Sequence, residues 1–506
     1  MMQSVWCALG ASAVTISMGT IPCPGQTLVA LAKPLQKDIT QSQLPSSEMF
    51  SDGQIAPTLD RFKLQSDLLE RPTSPDRVRS QSPQPLTLQQ ALELAQQHNW
   101  ELQIAAESLK RSQADLQQTR ATLFPTLSAQ TTLVNDRTAS DRLDNLEFLS
   151  EDATSGTLIE GSLELNYDLF TSGKRAARIR AAKEQVRHDQ LELERRKAQI
   201  YQEVANAYYD LQEADERVRI ARAALENAER SFQDAIALEE GGRGTYFDVS
   251  RALVQRANAE QELTDVMVQQ DLARRQLAQL LSLDEMIEVT AADPIEPEGG
   301  WQLPLEESIV LAYGRRVELS QQLAQRNIAT QRRRAALAET KPQISVFASY
   351  QVLDDFRESF GLLDGYAVGT RLRWDFFDGG VANAIADREE ANQNIAELRF
   401  AQTRSQIRLQ VERAYKTLQA NARSIQTAAT ALKQARENLE VARLRFDAGV
   451  GTQLEIIVAE NDLTRAEVNR LRAILNYNRA LIALQQATGT TFLDSDISSE
   501  PDSDWK

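Results

Sequence analysis

Leu165-Asn166-Tyr167-Asp168-Leu169-Phe170, followed by Gly173, returns as Leu372-Arg373-Trp374-Asp375-Phe376-Phe377 followed by Gly380, at an offset of 207 residues. The same offset carries Ala207-Tyr208 and Leu211 onto Ala414-Tyr415 and Leu418, and Gly242, Gly244 and Thr245 onto Gly449, Gly451 and Thr452. A register held over that distance requires nearly equal helix lengths in both halves, which chance likeness between alanine-rich helices does not maintain. Upstream the offset is 217, aligning Leu86 with Leu303, Ala95 with Ala312 and Pro125 with Pro342. The extra residues of the first half fall between Asn135 and Ser155, a stretch rich in Asp, Asn, Ser and Thr where a loop absorbs an insertion. The chain therefore reads as two internal repeats, 86–293 and 303–491.

Each repeat opens with a helix: Leu88, Ala91, Leu92, Ala95, Leu102 and Ala106 share one face as far as a polar stripe ending near Arg120. Pro125 and Pro342 end these helices and bias the residues before them toward extended geometry. After each proline the period changes to two. Leu127, Ala129, Thr131 and Leu133 share a face, as do Ile159, Leu163, Leu165, Tyr167 and Leu169. In the second half Ile344, Val346, Ala348, Tyr350 and Val352 form one face, and Tyr366, Val368, Leu372, Trp374 and Phe376 another, opposed by Arg371, Arg373 and Asp375. Four strands follow, apolar on one side and polar on the other, with aromatics near their ends, as lipid-facing strands show where they reach the headgroups. Two soluble hairpins packed on a core would alternate in the same way, but no compact partner for such a sheet is evident in the sequence.

The helices after each strand pair are too long for a compact domain. Lys174 to Leu238 contains neither Pro nor Gly, a run of about 98 Å at 1.5 Å per residue. Val381 to Ala448 is similar, and returning helices are expected over 247–281 and 454–487. Small side chains such as Ala176, Ala177, Ala181, Ala182, Ala205 and Ala207 allow close approach, so the four helices read as extended antiparallel coiled coil.

At 506 residues the chain exceeds what one hydrophobic core serves, consistent with a repeated, elongated body. A net charge of −16 excludes a general nucleic-acid-binding surface, and the Arg-rich stretch 175–187 alternates with acids as a solvated helix face does. Both cysteines, Cys7 and Cys23, precede an Ala30-Leu31-Ala32 sequence that resembles a secretory cleavage site, so residues 1–32 are expected to be a signal peptide, although a basic n-region is missing. A buried N-terminal helix over 5–18 is the alternative. Pro22 before Cys23 argues against a lipoprotein. If cleavage follows Ala32, no thiol chemistry remains. Residues 33–85 are rich in Pro, Ser and Gln and read as a linker or arm, and residues 492–506 as an acidic tail. No apolar run reaches the length of a transmembrane helix, which says nothing of strands.

Chemistry-bearing motifs are lacking. The two histidines, His98 and His188, lie in separate helices with no metal spacing, and there is no phosphate loop or G-x-S-x-G. No enzyme, cofactor or metal site is expected.

Leu86-Thr87-Leu88-Gln89-Gln90-Ala91-Leu92 with Ala95 and Asn99, the two prolines before strands, Leu165-x-Tyr167-x-Leu169-Phe170 with Gly173, and above all Arg445-Phe446-Asp447-Ala448-Gly449-Val450-Gly451-Thr452 before Leu454 and Glu455 resemble the outer membrane efflux protein (TolC-like) family across 86–489. The resemblance implies an α+β membrane protein in which a homotrimer builds a twelve-stranded β-barrel, four strands per chain, continued by a long antiparallel α-helical tunnel through the periplasm. It implies hairpin tips at Gly242, Gly244 and Thr245 and at Gly449, Gly451 and Thr452, where a periplasmic adaptor (membrane fusion) protein docks, itself joined to an inner-membrane ABC, RND or similar transporter. The tip glycines also fit a reversal between antiparallel helices, and Thr245 and Thr452 fit N-caps with Asp248 and Glu455 as capping-box acids. Some members close the tunnel entrance with two acids three residues apart; here Glu455 matches the first position and Val458 departs from the second. The implied function is an outer-membrane channel for drugs, metals, small molecules or secreted proteins. The rival reading is a non-channel periplasmic or cell-surface coiled-coil scaffold.

Overall fold

The computed structural model describes residues 69, 73–77, 79, 82–136, 156–284, 286–356 and 361–490. The signal peptide, most of the linker, the loop insertion beyond Asp136 and the acidic tail lie outside the described residues. A short strand β1 (Gln84–Leu86) leads into helices α1 (Leu88–His98) and α2 (Trp100–Ala121), then strands β2 (Thr126–Asp136) and β3 (Gly156–Phe170). Helix α3 (Lys174–Glu240) and its return α4 (Tyr246–Leu280) are followed by a short strand β4 (Val289–Ala291). The second half runs α5 (Leu305–Arg315), α6 (Val317–Leu337), β5 (Gln343–Asp355), β6 (Leu363–Arg373), α7 (Val381–Asp447) and α8 (Gln453–Thr488). The element bounds of the halves correspond: α1 starts 217 residues before α5, and α3 and α7 are offset by 207 at both ends.

Three details differ from the sequence reading. The helix expected at the start of each half is two helices. In the first half Asn99 divides them, its side-chain oxygen accepting from the amides of Glu101 and Leu102 while its amide nitrogen donates to the Leu280 carbonyl, 2.8 Å away. Arg316 marks the same break in the second half. The linker ends earlier than residue 85, because Gln84 and Pro85 pair with Val289 and Thr290 in a parallel two-stranded sheet. Strand β6 stops at Arg373, short of Trp374 and Phe376.

α3 and α7 each contain 67 residues, roughly 100 Å of unbroken helix. Their ends toward the strands start on Gly173 and Gly380, both at positive φ. The main core surrounds the middle of α3, where Ile200, Val204, Tyr208, Tyr209 and Leu211 meet Leu88, Ala91 and Leu94 of α1, Leu277 of α4 and Leu475 of α8. A second cluster joins Ile407, Val411 and Leu418 of α7 to Leu481 and Leu484 of α8. Beyond these clusters the helices meet through small side chains such as Ala228 and Ala235 of α3 and Ala435 and Ala442 of α7, as the alanine-rich sequence requires.

An ion-pair cluster joins α3 to α6. Glu192 accepts from Arg195 on its own helix and from the Gln321 side chain, 2.9 Å away. The Arg195 guanidinium holds the Glu192 carboxyl well below the usual range, at about 2, against a smaller opposing effect of burial. Because the folded pKa is depressed, the stabilisation is present above the unfolded value and is lost as pH falls toward 2. Glu192→Gln is expected to cost about 1–2 kcal/mol at neutral pH, after allowing for solvent screening of a half-buried pair. It should also flatten the acid limb of thermal unfolding followed between pH 5 and 2.

The four long strands form one antiparallel sheet in the order β2-β3-β5-β6. Leu127, Leu165, Ala348 and Val368 stand side by side across it, and Ser128, Glu164, Ser349 and Ala367 form the next row on the opposite face. Among the strand residues whose burial is described none is buried, and none belongs to a hydrophobic cluster. Leu127, Leu133, Tyr366, Val368 and Leu372 are therefore exposed apolar side chains on a sheet that covers no core. That removes the reading of two soluble hairpins packed on a core for the described residues.

Candidate functional site: hairpin tips and open sheet edges

At each tip the backbone reverses by the same device. Gly242 and Gly449 adopt φ of +71° and +73°, a conformation that costs an L side chain about 1 kcal/mol. The amides of Arg243 and Gly244 both donate to the Leu238 carbonyl at 2.9 Å, and those of Val450 and Gly451 donate to the Arg445 carbonyl at 2.9 Å. These bonds satisfy carbonyls that a helix end leaves orphaned. They also draw the chain so close that a Cβ on Gly451 would lie 2.9 Å from the Phe446 amide nitrogen, and one on Gly244 3.1 Å from that of Glu239. Each tip thus needs one glycine for its dihedral angle and another for space. Gly449→Ala should weaken the second tip by about 1 kcal/mol, raising amide exchange over residues 446–455 about fivefold. Gly451→Ala, which meets backbone atoms, should raise it further.

Thr245 and Thr452 cap the returning helices, their hydroxyls accepting from the amides of Asp248 and Glu455 at 3.3 Å. In the first tip the Asp248 carboxylate reaches back to the Thr245 amide at 3.2 Å, completing a capping box. In the second the box is half made, contrary to the sequence reading. Glu455 turns instead to the Arg445 guanidinium, 3.3 Å away, and Arg445 stands where the first half has Leu238. The one acid matching an entrance gate is therefore already paired. Val458 is exposed, and at the matching position of the first half Arg251 lies over the Phe247 ring, 4.6 Å from its centroid. Tyr246, Phe247, Val450 and Leu454 are exposed apolar side chains at the tips.

The two hairpins lie alongside each other through residues that the sequence reading missed. Gln453 donates to the Ser231 carbonyl at 2.8 Å. Glu460, buried on α8, accepts from Arg443 of α7 at 3.1 Å and lies 3.3 Å from the Ser231 hydroxyl of α3. Polar residues on a long helix carry no periodic signal to mark such contacts. Gly242, Gly244 and Thr245 are thus gathered at one tip, and Gly449, Gly451, Thr452 and Glu455 at the other.

At the opposite end of the helices, β2 and β6 have no partner on one side among the described residues. Unpaired strand edges bearing an apolar face on one side cannot remain open in lipid, where no water satisfies the backbone. No helix among the described residues is long and apolar enough to cross a membrane, so the strands are the elements suited to it.

The profile of the outer membrane efflux protein matches the chain twice, over residues 91–282 and 309–490. The cobalt-zinc-cadmium resistance protein CzcC of Cupriavidus metallidurans is 24% identical over 420 residues, spanning 80% of this chain and 90% of CzcC. The pyoverdine export outer membrane protein OpmQ of Pseudomonas aeruginosa is 23% identical over 415 residues, spanning 79% of this chain and 85% of OpmQ. The fold is that of the CmeC outer membrane channel of Campylobacter jejuni, with a TM-score of 0.70 at 15% identity over 85% of this chain and 94% of CmeC. With the profile covering most of its helices and strands in both halves, the chain belongs to the outer membrane efflux protein family and is an outer-membrane protein that extends into the periplasm.

Proposed function

We propose that three copies of this chain close a twelve-stranded β-barrel, four strands from each, and continue it as an α-helical tunnel through which cargo leaves the cell. The observation that carries this reading is the four-stranded sheet, which among the described residues is apolar and uncovered on one face and open at both edges. In lipid each unsatisfied backbone group costs several kcal/mol, so the edges must be closed by other copies. The channel performs no covalent chemistry. An inner-membrane transporter of the ABC or RND kind supplies the energy, and a periplasmic adaptor joins it to the tips at Gly242, Gly244 and Thr245 and at Gly449, Gly451 and Thr452. Their exposed apolar neighbours Tyr246, Phe247, Val450 and Leu454 suit such docking. At the entrance the Arg445–Glu455 pair replaces an uncompensated acidic ring, which argues against strong cation selection there. The names of CzcC and OpmQ support small exported solutes as cargo, with selection among metals, drugs and secreted proteins left to the transporter.

Fractionation tests this reading. The chain should stay with membranes through salt and alkaline washes and leave them in mild detergent as a particle with the mass of three chains. Release by aqueous buffer as a single chain would return the account to a coiled-coil scaffold.

A further inference from the structure

The end of α3 nearest the sheet is basic. Lys174, Arg175, Arg178, Arg180 and Lys183 all precede the first acid of the helix, Glu184. Lys174 and Arg178 are answered from the second half by Glu339, at 2.6 and 3.1 Å. Arg175 is half-buried, and its guanidinium donates to the Thr122 carbonyl at 3.1 Å and the Asp168 carbonyl at 2.7 Å, tying the ends of α2 and β3 to the start of α3. Arg180 is exposed and differs from these. Its Nε donates to the Ala176 carbonyl of its own helix at 3.3 Å, and among the described residues its guanidinium has no carboxylate partner. Neither has Lys183, one turn farther along the same face.

Beside Arg180 a groove of about 500 Å³ opens between α2, α3 and the end of β3, walled by Leu123, Leu169, Phe170 and Ile179, with Arg175 and Arg180 completing its lining. A β-bulge supplies the wall nearest the sheet. The register of β3 with β5 shifts after Asp168, so that Leu169 is the extra residue and Phe170 pairs with Ile344 of the apolar face. Both bulge residues are about half exposed. The groove therefore continues the uncovered apolar face of the sheet down to Arg180.

We propose that this groove holds one phospholipid of the periplasmic leaflet, with an acyl chain against Leu123, Leu169, Phe170 and Ile179 and the phosphate on Arg180 and Lys183. The proposal rests on the apolar face of the sheet meeting lipid, as put forward above, and adds to it a site for an individual lipid. Charge and depth both fit. A guanidinium offers phosphate paired N–H donors in a planar fork. The headgroup layer of a leaflet is roughly 5–8 Å deep, and Arg180 lies six residues into α3, roughly 9 Å along its axis. Side chains on a helix tilt toward its N-terminus, here toward the sheet, so the guanidinium reaches that layer while its stem follows the apolar wall.

The matching positions of the second half carry the opposite chemistry. By the two offsets Leu123 becomes Thr340, Ile179 becomes Ala386, Arg175 becomes Ala382 and Arg180 becomes Asp387. A carboxylate at that place repels phosphate, so the site occurs once in each chain.

Native mass spectrometry of the full chain, extracted in mild detergent, stripped of lipid and titrated with palmitoyl-oleoyl phosphatidylglycerol, tests the site. The wild type should retain one lipid per chain. Arg180→Asp should weaken retention about tenfold, and Arg180→Lys, which keeps the charge, should recover most of it. Ile179→Asn probes the apolar wall independently, should an Arg180 variant not assemble, and is also expected to lose about tenfold. Asp387→Asn should bind as the wild type does. Millimolar inorganic phosphate should leave the lipid in place; displacement would make the groove a site for free anions and overturn the proposal. Equal retention by the wild type, Arg180→Asp and Ile179→Asn would mark the lipid as part of the unselective layer around a barrel, and a particle of three chains that retains none would leave the groove empty of lipid. Either result overturns the site and leaves the barrel standing. A particle of one chain by mass, released without detergent, overturns both.

Discussion

Val368→Arg is expected to abolish stable insertion into the outer membrane while the helices remain folded. Val368 is 72% exposed in the single chain and touches no core, so in water the change would fall within about 0.5 kcal/mol. In the row with Leu127, Leu165 and Ala348, however, it lies on the apolar face. There an arginine facing the bilayer midplane costs about 2–4 kcal/mol, and in a trimer that cost recurs in each copy. Ala367→Arg is the control. It follows the row of Ser128, Glu164 and Ser349 on the polar face, where a charge faces water and insertion should be near wild type. The measurement is the fraction of each variant recovered as detergent-stable oligomer from outer membranes. Equal recovery of the two variants would mean that neither face meets lipid.

The second large effect is expected where the connector between the halves crosses α3. Asp293 accepts from the Leu88 amide at 2.7 Å and from the Tyr208 hydroxyl at 2.7 Å, while its own amide donates to that hydroxyl at 3.2 Å. Tyr208 is wholly buried, and burial pushes its phenol far above the ordinary value, so it remains a neutral donor. Asp293→Ala leaves the first amide of α1 without its acceptor and the phenol with the Leu86 carbonyl, 3.1 Å away, as its one remaining acceptor. Stranding a buried donor costs about 1–3 kcal/mol, and more when the lost partner was charged. The variant should therefore be destabilised by about 3 kcal/mol, and Tyr208→Phe by about 1–2 kcal/mol because Asp293 keeps the Leu88 amide. Guanidinium unfolding in detergent, followed by helical signal, would rank the two. A reversed order would show that the hydroxyl matters more than the carboxylate.

Much of the fold was legible because its elements are long and plainly punctuated. α3 and α7 end within two residues of the expected positions because Pro and Gly are absent from their interiors and concentrated at the tips. The strands were legible where alternation runs for ten residues. What escaped depends on tertiary contact. Asn99 breaks a helix because its side chain caps one end and reaches Leu280 across the fold, and β1 and β4 are three residues each, too short for a period and joined by parallel pairing about 200 residues apart. At the tips Gly242, Gly244, Thr245 and their repeats were legible as backbone chemistry. The Glu455 pairing was not, because it turns on Arg445 standing where the first half has Leu238. β6 fell short at Arg373 although its sequence alternates through Phe376, since alternation records which face a residue needs and not whether a partner strand is present.

The claim on which all this depends is that several copies of the chain share one continuous bore. Single-particle imaging of the protein in a lipid nanodisc tests it most directly. The expected image is a three-fold tube with twelve strands across the bilayer and a helical barrel of roughly 100 Å beneath it, its hairpin tips distal to the membrane. Separate chains, or an oligomer whose sheets lie outside the lipid, would contradict it.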